Sequence, residues 1–507
     1  MLNYQHIITA SIGDFGRSQF IIVFACVMTK FFSAWCMLMM GFAGAKPNWW
    51  TQTISYNATT NTSTTIKHIK ECPTFDNQTI YFDDDIFTIV SEWNLVCGRD
   101  WIPTLITTTQ MIGVLVGAAV IGQLGDWIGR KKSLVFVAAM ELVCVLLLGL
   151  SVNWHMMTAA AFFLGFSLGG YLVVISVYML EYIGTKWRTP IGLIPSWALG
   201  VTVLGGMFKL LPNWRHLCYA TAALGSPFVL LLSFSPESIR WLFIKGKNEK
   251  AKSILKKLAA RNKRPDPDFK EIDKVLEEKT KTNENSLIQY NYLTVLLKDA
   301  TRKKALLFAF MWFSCSFTYY GLTLGVGNLS GDISVNMSLM GLGETICLLL
   351  VNPLSKYFGR KYTTLLLFMC TAFTSFGITL AYFLSSSNFE KIMNVLALIS
   401  RFFLSGAWGS LIIYTTESFP TVVRSAAFGF VSVVARVAGI LAPQNEFLVK
   451  VATHLPFTVN GGLALISALL CLLLENTHNL AMEDHLPNKK GDKITEETSF
   501  TTTSGNS

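Results

Sequence analysis

Apolar residues recur along the chain in twelve long stretches that are separated by polar segments. A helix needs about 20 mostly apolar residues to cross the hydrocarbon core of a bilayer, so each stretch predicts one membrane-spanning helix. The first stretch is too long for a signal-peptide core and shows no cleavage pattern before Lys46, so we expect it to remain as a helix. The predicted spans, numbered 1 to 12, cover residues 18–43, 103–124, 133–152, 155–180, 190–211, 216–234, 304–327, 333–355, 361–384, 391–414, 424–447 and 455–474.

Two polar segments are much longer than the others, and their charges predict the orientation of the chain. Residues 44–102 contain four Lys/Arg and seven Asp/Glu, whereas residues 235–304 contain eighteen Lys/Arg and ten Asp/Glu. Because loops rich in Lys and Arg stay in the cytoplasm, we expect the second segment and both termini inside the cell. The first segment is then extracellular, where its three glycosylation sequons at Asn57, Asn61 and Asn77 can be used.

This orientation divides the chain into five regions of an integral, multi-pass protein that we expect in the plasma membrane. They are a cytoplasmic N-terminus (1–17), an N-terminal six-helix half (18–234) with its extracellular loop (44–102), a cytoplasmic linker (235–303), a C-terminal six-helix half (304–474) and a polar cytoplasmic tail (475–507). The tail is rich in Thr and Ser, which predicts disorder.

Composition supports a membrane protein, because 51% of the residues are apolar and only 15% are charged, against about 25% charged in soluble proteins. The net charge of +10 (42 − 32) comes mostly from the cytoplasmic linker and is therefore a topology signal. No basic face with interleaved aromatic residues indicates nucleic-acid binding. Eight of the ten cysteines lie in apolar stretches, so at most one disulfide is expected, between Cys72 and Cys97.

An internal repeat relates the two halves of the chain. Three motifs on the cytoplasmic side return in the same order, at offsets of 230, 236 and 238 residues. The pairs are Gly125-Asp-Trp-Ile-Gly-Arg-Lys131 with Ser355-Lys-Tyr-Phe-Gly-Arg-Lys361, Glu181-Tyr-Ile-Gly-Thr-Lys-Trp-Arg188 with Glu417-Ser-Phe-Pro-Thr-Val-Val-Arg424, and Pro236-Glu-Ser-Ile-Arg-Trp-Leu242 with Leu474-Glu-Asn-Thr477. Such a repeat predicts two pseudo-symmetric bundles of six helices.

Two six-helix halves with basic, glycine-containing turns resemble the major facilitator superfamily. Further motifs narrow the resemblance: Gly13-Asp-Phe-Gly-Arg-Ser-Gln19, Thr88-Ile-Val-Ser-Glu-Trp-Asn-Leu-Val-Cys97, Trp214-Arg-His-Leu217, Tyr319-Tyr-Gly-Leu322, Tyr414-Thr-Thr-Glu-Ser-Phe-Pro-Thr421 and Ala435-Arg-Val-Ala-Gly-Ile440. Together they are similar to the organic anion/cation/carnitine transporters of the solute carrier class. Sugar porters share the fold, but their QQxSG-like span 7 is missing here.

The resemblance implies transport by alternating access around one central cavity, lined by spans 1, 2, 4, 5, 7, 8, 10 and 11. Charged and glycine residues of the cytoplasmic motifs are then candidates for gating, because ion pairs such as one between Asp126 and Arg130 can form in one conformation and break in another. The gating candidates are Gly122, Asp126, Gly129, Arg130, Glu181, Arg188, Glu237, Arg240, Gly359, Arg360, Glu417 and Arg424.

Ionisable residues inside spans are costly and are therefore candidates for the substrate site. Arg436 in span 11 matches the arginine of the family's anion and carnitine transporters, and its guanidinium binds a carboxylate or sulfate in fork geometry. A fixed pair between Arg436 and Glu344 is the alternative. Lys30, about twelve residues into span 1, adds positive charge and favours anions despite Glu344.

The remaining ionisable residues of the spans are weaker candidates. Lys209 and Arg401 lie near span ends, where they can extend toward water, and Glu141 is expected in a structural pair. Leu348 and Ala161 stand where the anion branch carries Lys and Arg, which argues against strict dicarboxylate exchange. Aromatic rings that match cavity positions of the family can stack on the body of a substrate, and these are Trp197, Tyr319, Tyr320 and Trp408.

The sequence therefore predicts an all-α transporter of small organic ions, most simply an organic-anion uniporter or exchanger, with a counter-ion or exchange substrate as a further partner. A carrier for zwitterions such as carnitine or betaine, an organic-cation transporter and a non-transporting receptor stay open as alternatives. No ATP-binding, flavin or catalytic motif predicts an enzyme or a cofactor. Gly165-Phe-Ser-Leu-Gly169 matches a hydrolase motif, but within span 4 we interpret it as helix packing.

Overall fold

The computed structural model describes residues 4–57, 62–69, 71–72, 79–192, 194–267, 269, 299–384, 388–420 and 423–476. Twelve main helices appear in the order that the hydropathy predicts, and eleven of them lie in segments long and apolar enough to cross a membrane. Their bounds are α1 Arg17–Leu38, α2 Ile102–Ile128, α3 Arg130–Gly149, α4 Trp154–Tyr182, α5 Ser196–Leu210, α6 Trp214–Ser233, α7 Asp299–Leu324, α8 Ile333–Phe358, α9 Arg360–Phe383, α10 Phe389–Ser418, α11 Arg424–Leu441 and α12 Leu455–Leu472.

The fifth span differs from its prediction, because its helix begins at Ser196 and not at residue 190. A separate short helix, Thr185–Gly192, precedes it. Pro195 separates the two, since proline lacks a backbone N–H and disfavours helical geometry in the residue before it. The fifteen residues of α5 span only about 22 Å at 1.5 Å per residue.

Glycines allow α2 and α4 to pack unusually closely. A Cβ atom on Gly165 would lie 1.9 Å from the carbonyl oxygen of Gln110, and one on Gly117 would lie 1.9 Å from that of Phe166. Gly169 and Gly113 make equivalent approaches at 2.0 and 2.2 Å. This confirms that the hydrolase-like motif in span 4 is a packing element.

The polar segment between α1 and α2 contains a three-stranded antiparallel sheet that the hydropathy pattern did not predict. Strand β1 (Trp49–Asn57) lies between β2 (Thr62–Ile69) and β3 (Thr79–Phe82). A disulfide joins Cys72 to Cys97. Asn57 ends β1, whereas the sequons at Asn61 and Asn77 lie outside the described residues. We call the side of the molecule that carries this segment the loop side.

Two of the family-like motifs meet on the loop side. The guanidinium of Arg215, at the start of α6, forms an ion pair with Glu92, and its Nε lies 3.2 Å from both carboxylate oxygens. The indole of Trp214 donates to the same carboxylate at 2.9 Å. Arg215 also donates to the carbonyl oxygens of Gly149 and Ser151. Together these bonds fix the loop segment on α3 and α6, so these motifs serve the fold.

The opposite side, which we call the linker side, carries short helices that follow α6 and precede α1. They pack together through the amide of Asn262, which donates to the carbonyl oxygen of Ile12 at 2.8 Å and to the side chain of Gln19 at 2.7 Å. Other short elements flank the loop-side helix ends. The remaining described helices are Tyr4–Ile12, Met40–Ala43, Ile89–Glu92, Ile239–Ile244, Asn248–Arg261 and Asn445–Val451, with 3₁₀ turns at Cys97–Arg99, Gly325–Asn328 and Ala442–Gln444.

Helices α1–α6 form one half and α7–α12 the other, and ion pairs join the halves on the loop side. Among the described residues, three such pairs cross between the halves, and none of the three is on the linker side. They are Lys46–Glu446 at 2.6 Å, Asp100–Lys450 at 2.7 Å and Lys209–Asp332 at 3.3 Å. The same interface is tight at α5 and α8, where a Cβ on Gly341 would lie 2.4 Å from the backbone nitrogen of Thr202.

Candidate functional site

A cavity of about 440 Å³ lies between the two halves. Residues of α1, α4, α5, α7, α8, α10 and α11 line it, which are seven of the eight spans that the resemblance implies. Its wall also includes Arg188, Gly192 and Ile194 on the linker side, while the loop side is closed by the ion pairs described above. The cavity therefore opens toward the linker side.

All seven predicted substrate-site residues lie in the wall of this cavity. They come from six helices and from both halves, which explains why they are far apart in sequence. They are Lys30 on α1, Trp197 on α5, Tyr319 and Tyr320 on α7, Glu344 on α8, Trp408 on α10 and Arg436 on α11.

The carboxylate of Glu344 is neutralised inside the C-terminal half. Arg401 is fully buried and its guanidinium lies 2.8 Å from Glu344. The guanidinium also stacks over the ring of Tyr319 at 3.6 Å, and it donates to Thr323 at 3.1 Å and to Ser405. The expectation that Arg401 extends toward water from a span end is therefore wrong, because its partners are inside the bundle.

The hydroxyl of Tyr319 connects this ion pair to the other half. It donates to Glu344 Oε2 at 3.1 Å and accepts a hydrogen bond from the indole N–H of Trp197 at 3.0 Å. Tyr320 and Trp408 pack against the Tyr319 ring, with centroid distances of 5.3 and 5.4 Å. These four aromatic side chains form one continuous surface that can stack on a flat or hydrophobic substrate.

Among the membrane-spanning helices that line the cavity, Lys30 and Arg436 are the cationic groups of the wall that remain for a ligand. Both are half-buried in the cavity wall, and neither forms an ion pair with any residue that the structure describes. Arg436 lies close to the Tyr320 hydroxyl, and Lys30 faces Glu344 across the cavity. The alternative of a fixed Arg436–Glu344 pair is wrong, since Arg401 occupies the carboxylate. With Arg188, the wall carries three cations and one carboxylate, a net charge of +2 (3 − 1).

Sequence reasoning missed two neutral polar residues of the wall, Asn352 and Ser405. A helical spacing could have indicated Asn352, because Glu344, Leu348 and Asn352 follow each other at intervals of four on one face of α8. Ser405 is recognisable only through its bond to Arg401. The other weak candidates lie elsewhere: Lys209 pairs with Asp332 on the loop side, and Glu141 is buried in the N-terminal half.

In the N-terminal half, the predicted gating residues form local clusters on the linker side. Asp126 pairs with Arg130 at 2.6 Å. The Glu237 carboxylate accepts hydrogen bonds from the backbone nitrogen of Lys131 at 2.8 Å, at the start of α3, and from that of Ser238 at 3.0 Å, which precedes the short helix Ile239–Ile244. Gly129 has a φ of +120°, and a Cβ there would lie 2.5 Å from Glu237. A Cβ at Gly122 would lie 3.4 Å from the Val173 side chain of α4, and Ser238 donates to Glu181.

The C-terminal half repeats this arrangement in part. Arg360 pairs with Glu417 at 3.2 Å, and Gly359 has a φ of +85°. Arg424 donates to the carbonyl oxygen of Phe419 at 3.2 Å.

Two gating candidates that follow α4 and α6 remain. Arg188 donates to the Leu180 carbonyl at 3.5 Å, and Arg240 is exposed. All these bonds of the gating candidates lie within one half, as expected when the linker side is open.

Comparisons with known proteins match this geometry to a family. The sugar (and other) transporter family matches residues 22–475. The organic cation transporter protein of Drosophila melanogaster is 31% identical over 78% of this chain and 72% of its own length. Mouse solute carrier family 22 member 7 is 31% identical over 80% of the chain and 75% of its own length, and member 15 of Xenopus tropicalis is 30% identical over 95% and 90%. The chain belongs to solute carrier family 22 of the major facilitator superfamily.

Solved structures agree with this assignment at the level of the fold. The xylose transporter XylE from E. coli, in a partially occluded inward-open conformation, superposes with a TM-score of 0.63 at 15% identity, covering 90% of this chain and 97% of XylE. The expected fold of twelve helices in two halves is thereby confirmed. The solute carrier family 22 relatives support transport of organic ions and a role other than catalysis, and they include proteins named for cations.

Proposed function

We propose that this chain carries organic anions across the plasma membrane by alternating access, as a uniporter or exchanger. In this proposal the loop side is extracellular, the linker side and both termini are cytoplasmic, and the structure is the inward-open conformation. Within the cavity, Arg436 and Lys30 bind the carboxylate or sulfate group, while Trp197, Tyr320 and Trp408 contact the hydrophobic body.

One observation carries the choice of an anion. The only carboxylate among the described residues of the cavity wall, Glu344, is occupied by Arg401 and by the Tyr319 hydroxyl, whereas the two cations Lys30 and Arg436 have no ionic partner there. An anion entering the cavity therefore gains charge-assisted hydrogen bonds without breaking an existing pair. An ammonium group would instead have to compete with a buried guanidinium for Glu344.

A zwitterion remains the second candidate, and the aromatic surface supports it. Arg436 can hold a carboxylate while a quaternary ammonium lies against the rings of Tyr320 and Trp408. The two candidates differ in one measurable property, because only the zwitterion carrier needs a cationic group on its substrate.

Uptake into cells that express the chain tests the proposal. The probes are a labelled aromatic sulfonate, labelled carnitine and labelled tetraethylammonium, with Lys257→Gln as the matched control because Lys257 is exposed on the short helix Asn248–Arg261, outside the cavity. We expect sulfonate uptake by the natural chain and by Lys257→Gln. We expect Arg436→Gln to raise KM about tenfold or more, since a hydrogen bond to a charged group contributes about 1.5–3 kcal/mol.

Two outcomes would contradict the anion assignment. Uptake of carnitine alone would favour the zwitterion carrier, and sulfonate uptake that is unaffected by Arg436→Gln and Lys30→Gln would remove both cations from the site. Surface biotinylation of every variant normalises uptake to the amount of protein in the plasma membrane.

A further inference from the structure

Glu141 is a buried carboxyl group without a counter-charge. It lies in α3, its residue is 4% exposed, and it forms no ion pair with any residue that the structure describes. The expectation of a structural ion pair for Glu141 is therefore wrong. An ionised carboxylate in such a position costs several kcal/mol, so the neutral acid is strongly favoured.

The hydrogen bonds around Glu141 match a protonated carboxyl group. The hydroxyl oxygen of Ser33, on α1, lies 3.2 Å from Glu141 Oε2 and 3.1 Å from the carbonyl oxygen of Thr29. A carbonyl oxygen only accepts, and serine has one hydrogen to donate. With an ionised Glu141, Ser33 would have to share its one hydrogen between both oxygens in a weaker three-centre bond. A protonated Glu141 can instead donate to Ser33, which leaves Ser33 free to donate fully to Thr29.

Among the described residues, no charged side chain faces this carboxyl from the helices around it. From α1 the thiol of Cys36 is within hydrogen-bonding reach, from α3 itself Cys144 is near, and from α4 comes Tyr171, which donates to Thr29 at 2.7 Å. On α6, Cys218 neighbours Cys36, and on α2 the Gln110 amide donates to the Cys36 carbonyl at 3.1 Å. Lys30 precedes Ser33 by one turn but lies in the cavity wall.

The position of Glu141 links its proton to the conformation of the molecule. Ser33 and Cys36 lie in the loop-side half of α1, and the short helix Met40–Ala43 that follows α1 meets the other half, where a Cβ on Gly41 would lie 3.4 Å from the carbonyl oxygen of Thr323 on α7. The loop side is closed in this structure. When it opens, water approaches this part of α1, and the cost of ionising Glu141 falls.

We propose that Glu141 is a proton-binding site, and that its proton favours the linker-side-open conformation over the loop-side-open one. Transport then depends on pH: the loop-side-open protein must bind a proton before it converts efficiently. This inference rests on the proposed function only in requiring transport, and it applies to whichever probe is taken up.

The pH profile of uptake tests this proposal, with pH changed equally on both sides of the membrane. A labelled aromatic sulfonate is a suitable probe because it stays ionised throughout. For the natural chain we expect the rate to fall as pH rises, with a slope approaching tenfold per pH unit beyond the midpoint of a single titration. Glu141→Gln is a permanent mimic of the neutral acid, so its rate should be independent of pH and equal to the acid plateau of the natural chain.

Two comparison variants and one further observation keep the outcome specific to this carboxyl group. Glu249→Gln removes a side chain that is 91% exposed and should leave the profile unchanged. Glu141→Asp keeps a carboxyl group and should keep the slope of the pH profile. A flat profile of Glu141→Gln beside a sloping profile of Glu141→Asp then comes from loss of the titratable proton and not from misfolding. Titration of Asp332 on the loop side does not account for the pH profile, because its carboxylate is stabilised in the ionised form. Burial alone would raise the pKa of Asp332, but the Ser334 backbone N–H and Lys209 outweigh burial and lower the pKa.

Two results would overturn the proposal. If the natural chain has a flat profile, Glu141 keeps its proton throughout the cycle and serves packing alone. If Glu141→Gln keeps the slope of the natural chain, another group titrates. When the sulfonate is not taken up, the same profiles are measured with carnitine or tetraethylammonium, so a failure of the anion assignment is distinguishable from a failure of this inference.

Discussion

The buried pair of Arg401 and Glu344 decides which charges the cavity presents to a substrate. Sequence position could not predict the pairing, because the partners are 57 residues apart on different helices. Arg401 in fact lies near the middle of its predicted span (391–414), so a position at a span end did not describe it. By contrast, the roles of Arg436 and Lys30 as cavity cations were predictable, since a charge deep in an apolar span has few other places to point. The sequence thus identifies charged residues whose burial in a membrane span costs free energy. Only the packing of the helices shows which of these charges are already neutralised by a partner.

Removing one member of this pair should destabilise the protein strongly. Glu344→Leu leaves Arg401 buried without a counter-ion, which costs about 3–5 kcal/mol. We expect a marked fall in Tm of the purified protein. The double variant Glu344→Leu/Arg401→Met should recover most of the loss, because an apolar pair of similar volume is often as stable as a buried ion pair.

The exposed pair Lys209–Asp332 is the control for this experiment. The Lys209 side chain is 64% exposed, and such pairs contribute about 0–1 kcal/mol. Lys209→Ala should therefore leave Tm almost unchanged. A Glu344→Leu variant as stable as Lys209→Ala would show that Arg401 finds water or another partner.

At the level of helices, hydropathy predicted every span but not the shape of each one. Spans are long apolar runs, and the apolar residues of α5 continue through Ile191 and Ile194 across the break at Pro195, so the pattern extended the helix too far. The loop-side sheet was missed for the opposite reason, because β1 and β2 are rich in Thr and carry no long apolar run. The glycine motif in span 4 was interpreted correctly as packing, since it requires only helix geometry.

The contact of α5 with α8 predicts a substitution that separates the two halves. A Cβ at Gly341 would lie 2.4 Å from the backbone nitrogen of Thr202, so Gly341→Ala must displace one helix. We expect this variant to disfavour closure of the loop side.

A cysteine at position 107 can report on this closure. Thr107 lines a loop-side chamber of about 110 Å³. In a parent protein that carries Thr107→Cys, the reaction of the introduced thiol with an impermeant reagent therefore reports on closure.

Gly343→Ala on the same helix is the matched control. A Cβ there would meet only the Phe402 side chain, at 3.5 Å, which is an ordinary contact. In this control the introduced thiol should be labelled at the rate of the parent, whereas Gly341→Ala should speed the labelling. Equal rates for both variants would mean that α5 and α8 absorb the extra methyl group without opening the interface.

Across the whole molecule, bonds between the halves are unevenly distributed. The three described ion pairs that join the halves all close the loop side, and the Trp197–Tyr319 hydrogen bond joins them at the cavity. On the linker side, the bonds described above for the repeated motifs each lie within one half. Alternating access requires the first set of bonds to break while pairs between halves form on the other side. Each loop-side pair is partly exposed and contributes little by itself, so the two conformations can remain close in free energy.

Exchange of charges across the Lys46–Glu446 pair tests whether these bonds hold the loop side closed. In the Thr107→Cys parent, Lys46→Glu places two carboxylates together, which should favour the loop-side-open conformation and speed the labelling of the introduced thiol. The double variant Lys46→Glu/Glu446→Lys restores an attractive pair and should return labelling to the parent rate. Asn328, which donates to Glu446 at 2.7 Å, can rotate its amide to accept from a lysine instead.

If the double variant is labelled as fast as Lys46→Glu, the effect comes from altered packing and not from the ion pair. Labelling that Lys46→Glu leaves unchanged would show that the other two pairs suffice for closure.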